Sequence, residues 1–143
     1  MACSNSRYQK SGITLINANA QTVTAAATTL APGTSVFKSG CSLTLGGNGI
    51  AIQSSGLYRA EGHVTITPSA AGIITVALYL NGVLLPCSVR QNTVAADSVY
   101  TIDTDAAIFE GGACCMLKPQ ITLVVSGVAG TVSWLSMSAV KQA

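Results

Sequence analysis

"ALYLNGVLLPC", residues 77–87, contains the hairpin from which we predict the fold. Asn81 and Gly82 are a two-residue turn signal, because both residues tolerate the positive φ that a type I′ turn requires. The segments on either side, residues 73–80 and 83–87, are apolar at nearly every position. A strand with one solvated face alternates apolar and polar residues, so these strands are predicted to bury both faces.

Short runs of β-forming residues, separated by turn residues, extend from this hairpin in both directions. The clearest alternation is LYRAEGHVTIT, residues 57–67, which places Arg59, Glu61 and His63 together on one face of a strand. Residues 22–32 have some helical tendency, but their Thr and Val content and the Pro-Gly that ends them favour an extended segment at least equally. About eight to ten antiparallel strands at this spacing predict an all-β sandwich of the jelly-roll type.

The composition indicates that this sandwich associates with other chains. Charged residues make up only 8% of the 143 residues, whereas hydrophobic residues make up 49%. A folded monomer of this size exposes roughly 6,800 Å² of surface, which seven basic and five acidic residues have to keep solvated. Uncharged polar residues supply part of the polarity, but the apolar excess is concentrated in the strands. We therefore expect an oligomer that buries much of the monomer surface.

The same composition predicts no membrane and no nucleic-acid partner. The longest apolar stretch, residues 73–87, is interrupted by Asn81 and Pro86 and is shorter than the ~18–20 residues of a spanning helix. The N-terminal sequence MACSNSRYQK lacks the apolar segment of a secretory signal. A net charge of +2 with scattered basic residues does not indicate nucleic-acid binding.

Five cysteines without a secretory signal favour synthesis in a reducing compartment, because an odd number does not indicate a disulfide framework. Zinc requires a second pair of ligands at suitable spacing, and the adjacent Cys114 and Cys115 have none. We interpret the cysteines as small, buried, apolar residues. They are Cys3, Cys41, Cys87, Cys114 and Cys115.

Residues with catalytic or ligand-binding potential are few. His63 has no distinctive nucleophile near it in the sequence and is interpreted as a solvated or interface residue. Asp103 and Asp105 lie on one face of a predicted strand, where two carboxylates are a candidate pair for a divalent cation. The glycine-rich LGGNGI, residues 45–50, lacks the Lys-Ser/Thr of a phosphate-binding loop and is predicted to be a turn. We predict no enzymatic activity and no cofactor.

Three stretches together resemble the C1q/TNF-like domains of bacteria and phages. NGIAIQSSGLYRAEGHVTI, residues 48–66, is similar to the Gly-x-Tyr strand of that family, and VALYLNGVLLPCS, residues 76–88, to the hairpin that follows. GTVSWLSMSAVKQ, residues 130–142, is similar to the C-terminal strand. The resemblance covers residues 20–142 and departs from the family at EGGACCML, residues 110–117, where members often carry Gly-Asp.

The resemblance implies a ten-stranded jelly roll, residues 20–143, assembled as a compact homotrimer about a threefold axis. The second face of the hairpin would then meet a neighbouring subunit or an overlying segment. By analogy with the family, five large side chains are placed near the subunit interface, although burial inside the sandwich is an equal alternative for each of them. These residues are Tyr58, Tyr79, Trp134, Leu135 and Met137.

The resemblance also leads to a function, because phage structural proteins use this fold. We expect a non-enzymatic virion protein, a capsid decoration or head-fibre component that is assembled in the bacterial cytoplasm and displayed on the virion surface. Residues 1–19 are predicted to form an arm that docks onto other capsid proteins. The alternative is a receptor- or glycan-binding tip of a phage tail fibre, or of a bacterial surface or spore protein, with Tyr100 and Phe109 as exposed aromatic side chains.

Overall fold

The computed structural model describes residues 11–110 and 118–143. In this part of the chain the regular elements are β-strands and one short 3₁₀ helix, Pro86–Ser88, so the all-β prediction is confirmed. The strands, in chain order, are β1 Gly12–Asn17, β2 Gln21–Val23, β3 Thr28–Thr29, β4 Thr34–Ser39, β5 Leu43–Leu45, β6 Ile50–Ile52, β7 Gly56–Pro68, β8 Gly72–Leu80, β9 Val83–Leu84, β10 Arg90–Val94, β11 Tyr100–Glu110, β12 Gln120–Ser126 and β13 Gly130–Lys141.

The strands form two antiparallel sheets that pack face to face. Sheet A has the order β11-β7-β13-β1-β4, with the short β2 paired to β13. Sheet B has the order β10-β8-β12-β6-β5, with the short β3 paired to β12 and β9 to β8. Strands that are neighbours in space are often distant in sequence, as in β1 beside β13, and this is typical of a jelly roll. The five principal strands of each sheet agree with the predicted eight to ten.

The core lies between the sheets and is built from alternate residues of the long strands. In β7, Tyr58, Val64 and Ile66 are fully buried, while Arg59 is exposed on the opposite face. The predicted alternation of this strand is therefore confirmed. The phenolic hydroxyl of Tyr58 remains paired in the core, because it donates a hydrogen bond of 2.6 Å to the carbonyl oxygen of Ser54.

The hairpin of residues 77–87 has the predicted turn. Asn81 and Gly82 have φ values of 51° and 80°, the two positive angles of a type I′ turn. The prediction that both faces of its first strand are buried is correct only in part. Leu78 on the core face is fully buried and Ala77 on the outer face is 3% exposed, but Ile73 on the same outer face is 54% exposed.

A buried serine joins the hairpin to both sheets. The Ser88 hydroxyl accepts a hydrogen bond of 2.8 Å from the Leu78 N–H and lies 2.6 Å from the Leu85 carbonyl oxygen, to which it donates. The carbonyl oxygen of Ser88 accepts a hydrogen bond from the hydroxyl of the buried Thr104 in β11. These bonds connect sheet B to sheet A through a segment that has little regular structure of its own.

Replacing Ser88 with alanine is expected to lower the free energy of unfolding by about 1–3 kcal/mol, because it leaves the buried Leu78 N–H without its acceptor. The exposed Ser55 serves as the control, and Ser55→Ala should change stability by less than about 0.5 kcal/mol. Urea denaturation of both variants measures the difference. Equal stability of the two variants would contradict this role of Ser88.

Two strands change the predicted organisation. Strand β1, Gly12–Asn17, pairs with β13 and β4 inside sheet A, so the jelly roll includes residues that were predicted to belong to the arm of residues 1–19. Strand β10, Arg90–Val94, was not predicted, because RQNTV is polar and does not alternate. It lies at the edge of sheet B, where a strand contributes few side chains to the core.

The cysteines differ from the buried apolar residues that the sequence suggested. Cys87 is an exposed free thiol in the 3₁₀ helix. Cys41, which precedes β5, is disulfide-bonded, so the prediction of unpaired thiols is wrong at this position. The remaining three cysteines lie outside the described residues.

Among residues 11–110 and 118–143, no helix has the length and apolar character needed to cross a membrane.

Candidate subunit interface

The outer face of sheet A carries an unusual concentration of charge for this chain. Five of the twelve charged residues and the only histidine lie within contact distance of one another. Because side chains alternate along a strand, those of β7 and β11 that point away from the core converge here, and β10 adds one more from the edge of sheet B. We name these residues the ion cluster: Arg59, Glu61, His63, Arg90, Asp103 and Asp105.

The ion cluster is arranged as a chain of alternating basic and acidic groups. His63 Nδ1 lies 2.7 Å from Asp103 Oδ1, and His63 Nε2 lies 3.8 Å from Glu61 Oε2. Arg59 lies between the next two carboxylates, with Nε 4.0 Å from Glu61 Oε1 and a guanidinium nitrogen in contact with Asp105. Each acidic group of the cluster therefore has a basic neighbour.

Strand pairing explains why two arginines are needed in this cluster. Glu61 and Asp105 are direct cross-strand partners, and like charges in that position repel each other. Arg90 reaches from the edge of sheet B around β11 and places a guanidinium nitrogen 2.8 Å from Asp105 Oδ1. Asp105 thus accepts hydrogen bonds from Arg59 and Arg90, which compensates the repulsion.

These contacts leave little room for the predicted cation site. Asp103 and Asp105 do lie on one face, as expected, but Asp103 is hydrogen-bonded to His63 and Asp105 to the two arginines. A cation shared by both carboxylates would have to displace these partners. In the part of the chain that the structure describes, no group of three or more histidine, cysteine or acidic side chains is placed to hold a metal ion.

A row of exposed apolar side chains crosses the same face of sheet A, beside the ion cluster. Phe109 and Leu57 are cross-strand partners on β11 and β7, and they are 76% and 36% exposed. Val140 on β13 is 50% exposed and Phe37 on β4 is 58% exposed. Gly12 connects these last two, since a Cβ at its position would lie 3.8 Å from Val140 and 3.9 Å from Phe37. We name Phe37, Leu57, Phe109 and Val140 the apolar band.

The face between the apolar band and the far end of sheet A carries small polar residues. Ser136 and Ser138 on β13 lie level with His63 and Glu61, and Thr14 on β1 lies level with Ser138. Trp134 lies two residues before Ser136 on β13 and is partly exposed. The face therefore combines apolar area, paired ionic groups and short side chains, which permit the close approach of a second surface.

The structure places the five predicted interface residues in different parts of the molecule. Tyr58, Leu135 and Met137 are 0% exposed and belong to the sandwich core, the alternative that the sequence left open. They have no exposed area with which to contact a partner. Trp134 lies on the outer face of sheet A and Tyr79 on the outer face of sheet B, so these two do not share one surface.

The aromatic residues suggested for a receptor-binding tip both lie in strand β11. Tyr100 is partly buried against the core, and its hydroxyl accepts a hydrogen bond of 2.8 Å from the Ala95 N–H. Phe109 is exposed in the apolar band. The sequence did not identify Arg90 or Phe37 as members of this face, because the first lies on the strand that was not predicted and the second lies on a strand that is exposed throughout.

Comparisons with known proteins agree on the fold. No protein-family model and no curated protein matches the sequence. Among solved structures, the PRD1 vertex protein P5 is similar with a TM-score of 0.64 and 15% identity, over 93% of this chain and 97% of that one. Murine APRIL has a TM-score of 0.68 and 14% identity, over 94% and 100%. The globular domain of the zebrafish complement 1qA protein has a TM-score of 0.57 and 7% identity, over 90% and 94%. The chain thus has the TNF/C1q-like jelly-roll fold.

Proposed function

We propose that the protein is a non-enzymatic, homotrimeric structural component of a phage virion, displayed on the capsid surface as a decoration protein or part of a head fibre. The observation that carries the proposal is the outer face of sheet A, where the apolar band lies beside an ion cluster in which each carboxylate has a basic neighbour. Such a face is suited to a contact between copies of this chain. The similarity in fold to a phage vertex protein supports the virion location.

The trimer contact is proposed to bury the outer face of sheet A against a neighbouring subunit. The apolar band supplies area whose burial contributes about 25 cal/mol per Å². The ion cluster fits the same contact because each of its carboxylates already has a basic neighbour, and a compensated cluster loses less on desolvation than an unpaired charge does. A threefold ring repeats this contact three times, so that the outer face of sheet A is covered in every subunit.

The role of the ion cluster is tested by Asp105→Asn. In the monomer this change should alter the free energy of unfolding by less than about 1 kcal/mol, because the groups are partly exposed. In the trimer it removes the carboxylate partner of Arg90 and leaves Arg59 with Glu61 alone in a desolvated contact, so the dissociation constant should rise at least tenfold. Analytical ultracentrifugation over a dilution series measures it. Asp97→Asn, at an exposed residue with φ of 62° that asparagine tolerates, is the control. An unchanged dissociation constant for Asp105→Asn would place the cluster outside the contact.

The virion role is tested on purified particles from the source culture. An antibody raised against the folded protein should label the capsid surface in immunogold electron microscopy. The protein should also appear in the particles by mass spectrometry in proportion to the capsid protein. Labelling only at the tail tip would support the alternative receptor-binding role. Absence of the protein from the particles would contradict both proposals.

The docking arm remains part of this proposal. The arm is now proposed to consist of residues 1–10, because β1, which begins at Gly12, belongs to sheet A. Deleting residues 1–10 should therefore leave the trimer intact and abolish binding to isolated capsids in a co-sedimentation assay. Retained binding would show that the capsid contact lies elsewhere.

A further inference from the structure

A concave site lies on the opposite side of the molecule from the ion cluster, on the outer face of sheet B. It is a depression of about 350 Å³ at the start of strand β12, where side chains two residues apart point to the same face. The turns that follow β5 and β8 form its rim, and β3 contributes one further residue. We name it the polar pocket, which is lined by Thr29, Asn48, Asn81, Lys118, Gln120 and Thr122.

The turns at the rim are held in place by main-chain contacts. The Asn81 N–H donates a hydrogen bond of 2.8 Å to the Gln120 carbonyl oxygen. The turn of residues 46–49 is closed by a hydrogen bond of 2.7 Å from the Gly46 N–H to the Gly49 carbonyl oxygen. It packs so closely on β12 that a Cβ at Gly49 would lie 1.8 Å from the Ile121 carbonyl oxygen. The glycine-rich stretch that resembled a phosphate loop is thus a turn, as predicted, and it shapes this pocket.

Most polar side chains of the pocket have no partner among residues 11–110 and 118–143. Among the residues that the structure describes, no hydrogen bond or ion pair involves the side chains of Asn48, Asn81, Lys118 or Thr122, and the Gln120 side-chain oxygen accepts only the Asn48 N–H at 3.4 Å. Amides and hydroxyls provide donors and acceptors close together. A small number of convergent polar groups in a concave site is typical of a ligand-binding pocket.

The chemistry of the lining selects a class of ligand. Densely placed donors and acceptors match a ligand with several adjacent hydroxyl groups. Tyr79 is not part of the lining but is the direct cross-strand neighbour of Thr122 on the same face, so that an aromatic ring lies beside the pocket. Among the described residues of the lining, Lys118 is the only charged one. The pocket therefore favours an anionic ligand.

We infer that the polar pocket binds a saccharide that carries a carboxylate, with Lys118 contacting the carboxylate and the side chains of Asn81, Gln120 and Thr122 contacting the hydroxyls. The pocket lies on sheet B, whereas the proposed trimer contact lies on sheet A, so each subunit of the trimer would keep its pocket open. The inference goes beyond the structural role, because it gives the displayed protein a means of attaching to a carbohydrate surface.

The inference is tested by saturation-transfer difference NMR on the full chain with three monosaccharides, namely glucuronic acid, N-acetylneuraminic acid and neutral glucose. We expect saturation transfer to at least one acidic sugar and weaker transfer to glucose. Titration with the acidic sugar that binds should show an affinity at least fivefold lower for Lys118→Met, because a hydrogen bond to a charged group is lost. The comparison of the two acidic sugars identifies which carboxylated ring the pocket accepts.

Two further variants make the test specific to the pocket. Asn81→Gly removes one amide while keeping the positive φ of the turn, and it should also weaken binding. Lys38→Met removes a lysine from the exposed strand β4 and should leave binding unchanged. The absence of saturation transfer to all three sugars would overturn the inference, as would equal binding of glucose or equal affinity of Lys118→Met and Lys38→Met. The mass of the same sample in solution reports on the trimer separately.

Discussion

Leu78→Asp is expected to abolish folding. Leu78 is 0% exposed on the core face of β8, an interior strand of sheet B, and aspartate at this position places an unpaired charge in the core. We expect a loss of more than about 4 kcal/mol, the range reserved for disrupted cores. The variant should be recovered mainly as aggregate and should lack the far-ultraviolet circular dichroism of a β-sandwich.

Ile73→Asp is the matched control for this prediction. Ile73 lies on the same strand but on the outer face, where it is 54% exposed, and surface substitutions of this kind usually change stability little. The control should be recovered in soluble form with the spectrum of the unmodified protein. Soluble, folded Leu78→Asp would contradict the placement of β8 and with it the sandwich core.

Introducing Leu57→Asp and Phe109→Asp together is expected to convert the trimer into folded monomers. The two residues are cross-strand neighbours in the apolar band and are exposed in the single chain, so the sandwich itself should tolerate the change. In the proposed contact the two carboxylates would be desolvated without partners, at a cost of several kcal/mol for each ion. Light scattering during size-exclusion chromatography should give the mass of one chain, 14.4 kDa.

Val83→Asp combined with Val99→Asp provides the comparison. These valines are 68% and 67% exposed, and they lie outside the apolar band, in the hairpin and before β11. This variant should remain trimeric. Loss of the trimer in the comparison, or its retention in the variant of the apolar band, would show that the subunits meet through another surface.

The sequence predicts those parts of the fold in which one face of a strand is buried and the other is solvated. The alternation in residues 57–67 identified β7 and correctly placed Arg59, Glu61 and His63 on one outer face. The Asn-Gly turn was equally predictable, because few residues adopt positive φ at two successive positions. Strand β10 could not be predicted in this way, since an edge strand with polar side chains has no hydrophobic period.

The candidate interface was less predictable than the fold, because it depends on which strands become neighbours. Asp105 and Arg90 belong to different sheets, and only the meeting of the two sheet edges brings their side chains together. Large apolar residues were equally ambiguous. Val132 and Trp134 are only two residues apart on β13, yet the first fills the core and the second lies on the outer face. A β-bulge in this strand, between Val132 and Trp134, shifts the register beside β7, which a strict period of two does not predict.

We propose that a chain with so few charged residues covers its apolar face with copies of itself. The most direct test is the mass of the purified, full-length protein in solution, measured by light scattering during size-exclusion chromatography at micromolar concentration. We expect a single species of three times 14.4 kDa. A monodisperse species of 14.4 kDa under the same conditions would contradict this proposal.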